Sequence, residues 1–443
     1  MHKRKQLIAA NCSLFLFLAT TPPVFGGNHM GLKKTSWQVL CDSTTELSQI
    51  PSGVVHTIDA ILDTVAKYDK EATRADIFTY LSADVKEQQQ AAILAAHLRT
   101  QAGQALAQAK DNDITNGIHL AATAGYLKGH IDEFVGVAQE TKEASNGCLL
   151  NAGGTSAARR AGDTLESTAC KLDLPNTMRT PRTLQKISAA GVTDAPDPKN
   201  DHAGHEHQDD DDACKLLSAT QANGLGSGGA IGAGFTWAGG YYNVPATSDT
   251  VVKVADLRTK AAAATGKAKP WVNLFETLAN QPSAQHAAHK NETATVEQSV
   301  TATELLNRIL NDKPEATDAD IKDKRTHLFT TTSQKTVNEL MAKIHDFKLP
   351  AKAAGIPAER ELGSVEDAKE LAALLSYYRL ENLKHLSKVE ADLRAEKSTK
   401  LPKTAEEKEK ECNEVVDSED KCKKLRDKWC IFNKAKRVSL KRR

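Results

Sequence analysis

Near the start of the chain, apolar residues recur at alternating steps of four and three positions, and this spacing limits the fold more than any other feature. The series consists of Val54, Ile58, Ile61, Val65 and Tyr68. It predicts one apolar seam along a helix that packs beside a partner of nearly parallel axis. A helix from about Leu32 to Tyr68 would be roughly 55 Å long. Pro51 and Gly53 interrupt it, so we expect a kink or a new helix start there.

A second helix is predicted to return beside the first. The polar segment Asp69–Asp76 interrupts the spacing, which then resumes at Ile77, Leu81, Val85, Ala91, Leu94, Leu98 and Ala105. Alanine lets helix axes approach closely, so we predict an antiparallel hairpin, a coiled coil that forms the basis of an elongated rod. The same periodicity also fits amphipathic helices of a globular bundle. The length of the predicted helices favours the rod, and so does the secretory signal pattern of the first residues, which is described below.

The remaining chain alternates between helical and irregular patterns. Asp111–Gly117 has the composition of a turn, and Ile118–Glu140 has a helical pattern. From about Asn146 to Thr293 the periodicity is lost, which predicts loops and short strands at the ends of the rod. A broad apolar stripe within Val365–Leu393 then predicts a third long helix packed along the hairpin; it comprises Leu371, Leu374, Leu375, Tyr378, Leu380, Leu383 and Leu386. The fold class is therefore mostly α.

The first residues have the pattern of a secretory signal peptide. A basic start is followed by the apolar run Leu7–Ala19 and by small residues at Gly26 and Gly27. Cleavage there would leave two groups of cysteines, Cys41, Cys148, Cys170 and Cys214 in the first and Cys412, Cys422 and Cys430 in the second. In an oxidising compartment these are disulfide candidates. Four cysteines allow three pairings, and three always leave one over.

Bulk composition excludes some functions. The 443 residues carry a net charge of +1, so electrostatics favour neither nucleic acid nor an acidic membrane surface. No G-x-S-x-G, H-E-x-x-H or Walker pattern occurs. We therefore expect no enzymatic activity and no cofactor.

A histidine-rich segment is the most obvious candidate metal site. His202, His205 and His207 lie beside Glu206 and the acidic run 209–212, and all of these are metal-ligand types. The neighbouring sequence DAPDPKND is typical of a loop, and nothing rigid fixes a coordination geometry. An exposed, solvated loop is the preferred interpretation, with a specific metal site as the alternative.

Two shorter motifs have simple interpretations. Gly224, Gly226 and Gly229 fit G-x-G-x-x-G, but a dinucleotide site needs a strand before the glycines and a helix after them, so a flexible surface loop is preferred. Asn291-Glu292-Thr293 is an N-glycosylation sequon, which predicts a glycosylated and exposed Asn291.

Taken together, these residues resemble the trypanosome variant surface glycoproteins, in particular the A-like type whose N-terminal domain carries four cysteines. The resemblance rests on the order of Cys41, Cys148, Cys170 and Cys214, on the hairpin, on the glycine-rich stretch, and on ELAALLSYYRLENLKHL before a Lys/Glu-rich linker. It implies the pairs Cys41 with Cys170 and Cys148 with Cys214. The expected domains are a leader (1–26), a helical rod (27–395), a linker (396–410) and an incomplete cysteine-rich module with a basic tail (411–443).

The resemblance also implies a role. A homodimer would stand in a dense surface coat on the parasite, antibodies would reach only its outer loops, and antigenic variation would provide immune evasion. The family attaches through a glycosylphosphatidylinositol anchor, whereas this sequence ends IFNKAKRVSLKRR, so secretion or retention is an alternative expectation. The rival function is a surface receptor for a host serum protein, with Trp237, Tyr241 and Tyr242 as its contact patch. The same three aromatics are more simply interpreted as loop anchors.

Overall fold

The chain forms two compact units, each of which combines two segments of the sequence. Unit 1 comprises Met1–Asp69 with Arg99–Asn291, and unit 2 comprises Lys70–Leu98 with Glu292–Arg443. The structure, a computed structural model, describes residues 31–142, 147–198, 214–219, 224–246, 252–282, 300–313, 315, 317–329, 333–400, 406–407, 410, 430–433 and 437–440. Among these residues, no helix is both long enough and apolar enough to span a bilayer.

Helices dominate both units, which confirms the mostly α class. The helices that lie wholly or partly in unit 1 are α1 (Lys34–Leu47), α2 (Ile50–Leu81), α3 (Val85–Gln108), α4 (Ile114–Glu140), α5 (Lys260–Ala264) and α6 (Lys269–Ala279). Unit 2 contains the end of α2 and the start of α3, together with α7 (Val300–Asn311), α8 (Asp318–Phe329), α9 (Ser333–Asp346) and α10 (Ala368–Lys400). The predicted boundary at residue 395 therefore falls inside α10.

The strands are short and form small antiparallel sheets. Unit 1 has β1 (Arg160–Ala161), β2 (Thr164–Leu165), β3 (Thr168–Ala169), β4 (Ile187–Ser188), β5 (Gly191–Val192), β6 (Phe235–Trp237), β7 (Tyr242–Val244) and β8 (Lys253–Val254). Unit 2 has β9 (Lys348–Leu349), β10 (Arg360–Glu361), β11 (Cys430–Asn433) and β12 (Arg437–Leu440). Three-stranded sheets β1-β2-β3 and β6-β7-β8 and pairs β4-β5, β10-β9 and β11-β12 result. Among the described residues between 146 and 293, the prediction of loops and short strands missed helices α5 and α6 and two short 3-10 turns, Lys215–Leu217 and Ala238–Gly240.

The core of unit 1 is built where α1, α4 and α6 bring large side chains together. Its fully buried members include Trp37 from α1, Leu127 and Phe134 from α4, and Trp271 and Phe275 from α6. Burial of a side chain of this size contributes roughly 1.5–3 kcal/mol. A chain with only 5% aromatic residues thus concentrates several of them in this one core.

The predicted break between two helices at Asp69–Asp76 is wrong, because α2 continues to Leu81. Arg74, which is only 3% exposed, donates to Glu71 (2.6 Å), to Glu366 (2.8 Å) and to the carbonyl of Val365 (2.7 Å). Glu71 and Arg74, which themselves belong to unit 2, therefore form ion pairs and hydrogen bonds within that unit and do not form a solvated turn.

His345 on α9 completes this polar contact. Its Nε2 lies 2.7 Å from Oε2 of Glu71. Burial alone would raise the pKa of the Glu71 carboxyl, but the bond to His345 and the charge of Arg74 hold it below its usual range. The bond to Glu71 in turn raises the pKa of His345. The two groups therefore stabilise each other's charged forms.

The turn between α2 and α3 lies at Ser82–Asp84 instead. Asp84 Oδ1 accepts hydrogen bonds from the backbone N–H groups of Lys86 (2.7 Å) and Glu87 (3.3 Å). An acidic side chain in this position satisfies the free donors at a helix start. Asp84 is thus the cap that begins α3, and a three-residue turn joins the two helices of the predicted hairpin.

The turn predicted at Asp111–Gly117 is also wrong. A π-helical turn, Ala109–Asp113, leads from α3 into α4 without a break. Gly117 is buried, and a Cβ atom added there would lie 2.8 Å from Cγ1 of Val54 and 3.1 Å from Cδ1 of Ile58. The glycine permits the close approach of α4 to α2 within unit 1, and its role is packing and not turning.

The third long helix is buried only at its beginning. Leu371 and Leu374 of α10 are buried, whereas Leu380, Leu383 and Leu386 are 58%, 59% and 52% exposed. The prediction that the whole stripe packs along the hairpin is therefore wrong from Leu380 onward within the single chain.

A glycine pair on α4 tests the packing role of Gly117. We expect Gly117→Ala to destabilise the protein by about 1–3 kcal/mol, because the added methyl group overpacks the contact with Val54 and Ile58. Urea unfolding followed by circular dichroism measures this change. Gly125→Ala is the matched control: nothing lies within 4 Å of its added Cβ, so helix propensity should make it neutral or stabilising by up to about 1 kcal/mol. Equal stabilities of the two variants would contradict the packing role.

Candidate functional site, a disulfide-linked loop region

Two buried disulfides fix the loops of unit 1, one of them to a helix and the other between two loop segments. Cys41 on α1 is bonded to Cys170, which follows β3, and their Cα atoms are 4.5 Å apart. Cys148, which lies beyond the end of α4, is bonded to Cys214 with a Cα separation of 4.9 Å. These are the pairs that the resemblance implies. They join residues 129 and 66 positions apart in the sequence.

Beside the first disulfide, a carboxylate fixes the backbone of a loop. Glu46 in the last turn of α1 is 7% exposed and accepts hydrogen bonds of 2.8 Å from the backbone N–H groups of Gln185, Lys186 and Ile187. Charged acceptors make such bonds stronger than neutral ones. Strand β4 and the residues before it are therefore attached to α1. Sequence reasoning missed Glu46, since nothing in its spacing marks it as buried.

A lysine inside α4 forms the second polar anchor. Lys128 is 1% exposed, and its Nζ donates to Oδ2 of Asp132 (2.5 Å), to Oγ1 of Thr44 (3.0 Å) and to the carbonyl of Lys171 (3.3 Å). Burial raises the pKa of the Asp132 carboxyl, although the bonds from Lys128 and Thr44 lower it. One network thus connects α4, α1 and the residue after Cys170. The available sequence signal was the position of Lys128 four residues after Ala124 and three before Ile131, which places it on the same helix face as these apolar residues.

The aromatic patch proposed as a receptor surface is a set of loop anchors. Tyr241 and Tyr242 are fully buried; the Tyr241 hydroxyl donates to the carbonyl of Ser36 (3.2 Å), and the Tyr242 hydroxyl lies 2.9 Å from the Ser36 hydroxyl. Burial raises the pKa of both phenols, so they remain neutral. Trp237 is half-buried and donates from Nε1 to the carbonyl of Leu216 (2.7 Å). Loop anchoring is thus the better interpretation of these residues.

The glycine-rich stretch is only partly a surface loop. Gly229 is exposed, whereas Gly240 has a φ of +89° and a Cβ there would lie 2.1 Å from the carbonyl oxygen of Lys267. Only glycine adopts this conformation at such a close approach. Gly224, Gly226 and Gly229 are followed by strand β6 and not by a helix, which argues against a dinucleotide site there.

Other predicted site residues lie beyond the part of the chain that the structure describes. These are His202, His205, His207, Asn291, Cys412 and Cys422. Cys430 is the first residue of β11. Within the described residues, no group of three His, Cys, Asp or Glu side chains is arranged to hold a metal ion.

These features define a class of protein. In unit 1, disulfides and buried polar or aromatic anchors fasten short strands and loops to a helical framework, as expected for a structural protein of an oxidising compartment. The model of the trypanosome variant surface glycoprotein (A-type) family matches residues 13–379, and the chain belongs to this family.

Individual relatives match nearly the whole chain. Variant surface glycoprotein MITAT 1.2 of Trypanosoma brucei brucei is 29% identical over 437 residues, which cover 96% of this chain and 90% of the relative. Variant surface glycoprotein MITAT 1.1 of the same organism is 25% identical, with coverage of 96% and 86%. The solved structure of MITat 1.1 covers 83% of this chain and all of its own, with a TM-score of 0.75 and 23% identity, and this likeness supports the fold.

Removal of either disulfide tests its contribution to the fold. The double variants Cys41→Ser/Cys170→Ser and Cys148→Ser/Cys214→Ser should each lose about 2–5 kcal/mol of unfolding free energy, because the unfolded chain gains conformational freedom. Chemical denaturation measures the loss. Peptide mapping of the oxidised wild-type protein should find only these two pairs among the four cysteines, and any other pairing would contradict the assignment.

Proposed function

We propose that this protein is a variant surface glycoprotein that forms a dense coat on the surface of a trypanosome and enables immune evasion by antigenic variation. The observation that carries the proposal is the family match over residues 13–379. It is supported by relatives that bear the name variant surface glycoprotein and align along more than four fifths of their own length.

The architecture of unit 1 suits a coat whose outer surface changes. Cys41, Glu46 and Lys128 attach the loops to helices α1 and α4, so the intervening loop residues can vary at little cost to the core. Antibodies against exposed loops are therefore the expected host partners. The coat acts through bulk and variability, a role that requires no catalytic residue and no cofactor.

A homodimer is the expected unit of the coat. The exposed stripe on α10 consists of Leu380, Leu383, Leu386, Val389 and Leu393, which are 40–59% exposed. These positions recur at three steps of three residues and one of four, so they form a broad apolar face that covers about half of the helix circumference. A second copy of this chain would remove the stripe from water. Because burial of this apolar surface is favourable, self-association is the simplest explanation of the exposed stripe.

Replacement of one leucine of the stripe tests the dimer. Leu383→Glu should shift the protein from dimer toward monomer in analytical ultracentrifugation, because a charge within an apolar contact loses its hydration. Ala395→Glu is the control, since it adds the same charge to α10 on the side away from the stripe by helical spacing. A dimer unchanged by Leu383→Glu, or equal weakening by both variants, would argue against this interface.

Membrane attachment is proposed to follow the family. The leader (1–26) would direct the chain to the secretory pathway, Asn291 would carry an N-glycan, and a glycosylphosphatidylinositol anchor would hold the protein on the outer face of the plasma membrane. The domain plan of a rod (27–395), a linker (396–410) and a cysteine-rich module (411–443) remains part of this proposal. The pairing of Cys412, Cys422 and Cys430 remains a prediction to be mapped.

Expression of the full chain in a trypanosome tests the coat function. We expect surface labelling at high density and release of the protein by a phosphatidylinositol-specific phospholipase. Recovery only in the medium or inside the cell would contradict the anchored coat. The receptor alternative predicts saturable binding of the purified protein to an immobilised serum protein at micromolar or lower concentration; the burial of Tyr241 and Tyr242 removes its proposed contact patch.

A further inference from the structure

A loop of unit 1 holds a methionine side chain in solvent. Met178 is 76% exposed, and Leu174 in the same loop is 88% exposed. The sequence contains four methionines: Met1, Met30, Met178 and Met341. Of these, Met178 and Met341 fall within the described residues, and Met341 is half-buried in α9 between the buried residues Val337 and Ile344.

The loop that carries Met178 is fixed by contacts that do not involve its side chain. The backbone N–H of Asn176 donates to the carbonyl of Ser48 (3.0 Å), and the backbone N–H of Met178 donates to Oδ1 of Asn176 (2.9 Å). The neighbouring Arg179 forms ion pairs with Asp59 and, at 3.5 Å, with Asp63. The thioether is thus presented to solvent by a backbone that stays in place whatever the chemistry of the sulfur.

We infer that Met178 is a surface site of oxidative modification, which takes two-electron oxidants of the peroxide class. The sulfur lone pair attacks one peroxide oxygen, the O–O bond breaks, and that oxygen is transferred to sulfur. The other oxygen leaves as water with both protons of hydrogen peroxide. Sulfur is oxidised by two electrons and the peroxide is reduced. The product is a polar, chiral sulfoxide in place of an apolar thioether.

The modification changes the surface and leaves the fold intact. Sulfoxides disrupt proteins where the methionine packs inside a core, whereas most of the Met178 side chain is already in water. Its backbone is held by Asn176 and by the ion pairs of Arg179. Oxidation of Met178 therefore alters the chemistry of one exposed loop beside Leu174 without loss of stability. This inference does not depend on the coat function.

Dilute hydrogen peroxide applied to the folded full-length protein tests the site. Samples quenched over time, digested and analysed by mass spectrometry give the initial rate of sulfoxide formation at each methionine. We expect Met178 to react at least about fivefold faster than Met341, because susceptibility follows exposure. In the guanidinium-unfolded protein the rates at Met178 and Met341 should be similar. The difference between them in the folded protein would then be caused by the fold. A folded-state ratio below this value would overturn the inference.

Two further readouts distinguish a surface site from a structural one. Met178→Leu should remove the rapidly formed sulfoxide at position 178 and leave the rate at Met341 unchanged. Met341→Leu should leave the rate of sulfoxide formation at Met178 unchanged. The melting temperature by circular dichroism should be the same before and after selective oxidation of Met178. A melting temperature that falls in step with Met178 sulfoxide would overturn the claim that the site is independent of the fold.

Discussion

The two disulfides of unit 1 are the constraint on which its loop region depends. Short strands of two or three residues cannot form a stable sheet by themselves, and the sheets that the structure describes between residues 160 and 254 are of this kind. Cys41–Cys170 connects this region to α1, and Cys148–Cys214 connects it to the segment that follows α4. Glu46 and Lys128 then fix backbone segments on the side of the first bridge through charged hydrogen bonds, Glu46 to residues 185–187 and Lys128 to the carbonyl of Lys171. The strands are therefore held by the helices and not by their own pairing.

Two buried cations, one in each unit, have the same kinds of partners. Lys128 in unit 1 and Arg74 in unit 2 are almost completely buried, and each bonds to a carboxylate on its own helix and to a carbonyl from a distant segment. A buried charge without such partners would cost several kcal/mol. In these two places the polar residues thus specify which segment lies against the helix, a role usually assigned to apolar packing.

The difference between local and long-range contacts explains where sequence reasoning succeeded and where it did not. The seam from Val54 and the stripe from Leu371 predicted α2 and α10, because apolar periodicity reports a helix face directly. The expected break between helices at Asp69–Asp76 is absent, since Glu71 and Arg74 bond each other and also bond partners about 270 to 290 positions away in the sequence, which no local pattern reveals. Gly117 was misread for the same reason: its close contact with Val54 is tertiary. The cysteine pairs came from the family resemblance, because spacing alone left three pairings open.

The order of the bridged cysteines has a consequence for the integrity of the chain. The bridge from Cys41 to Cys170 overlaps the bridge from Cys148 to Cys214 in sequence. A protease that cuts one peptide bond anywhere between Cys41 and Cys214 therefore leaves both fragments covalently joined by at least one bridge. A nicked molecule would separate only under reducing conditions. Proteolytic attack on an exposed loop such as the one around Met178 would then leave the surface of the protein broken at one bond but with all of its parts still attached.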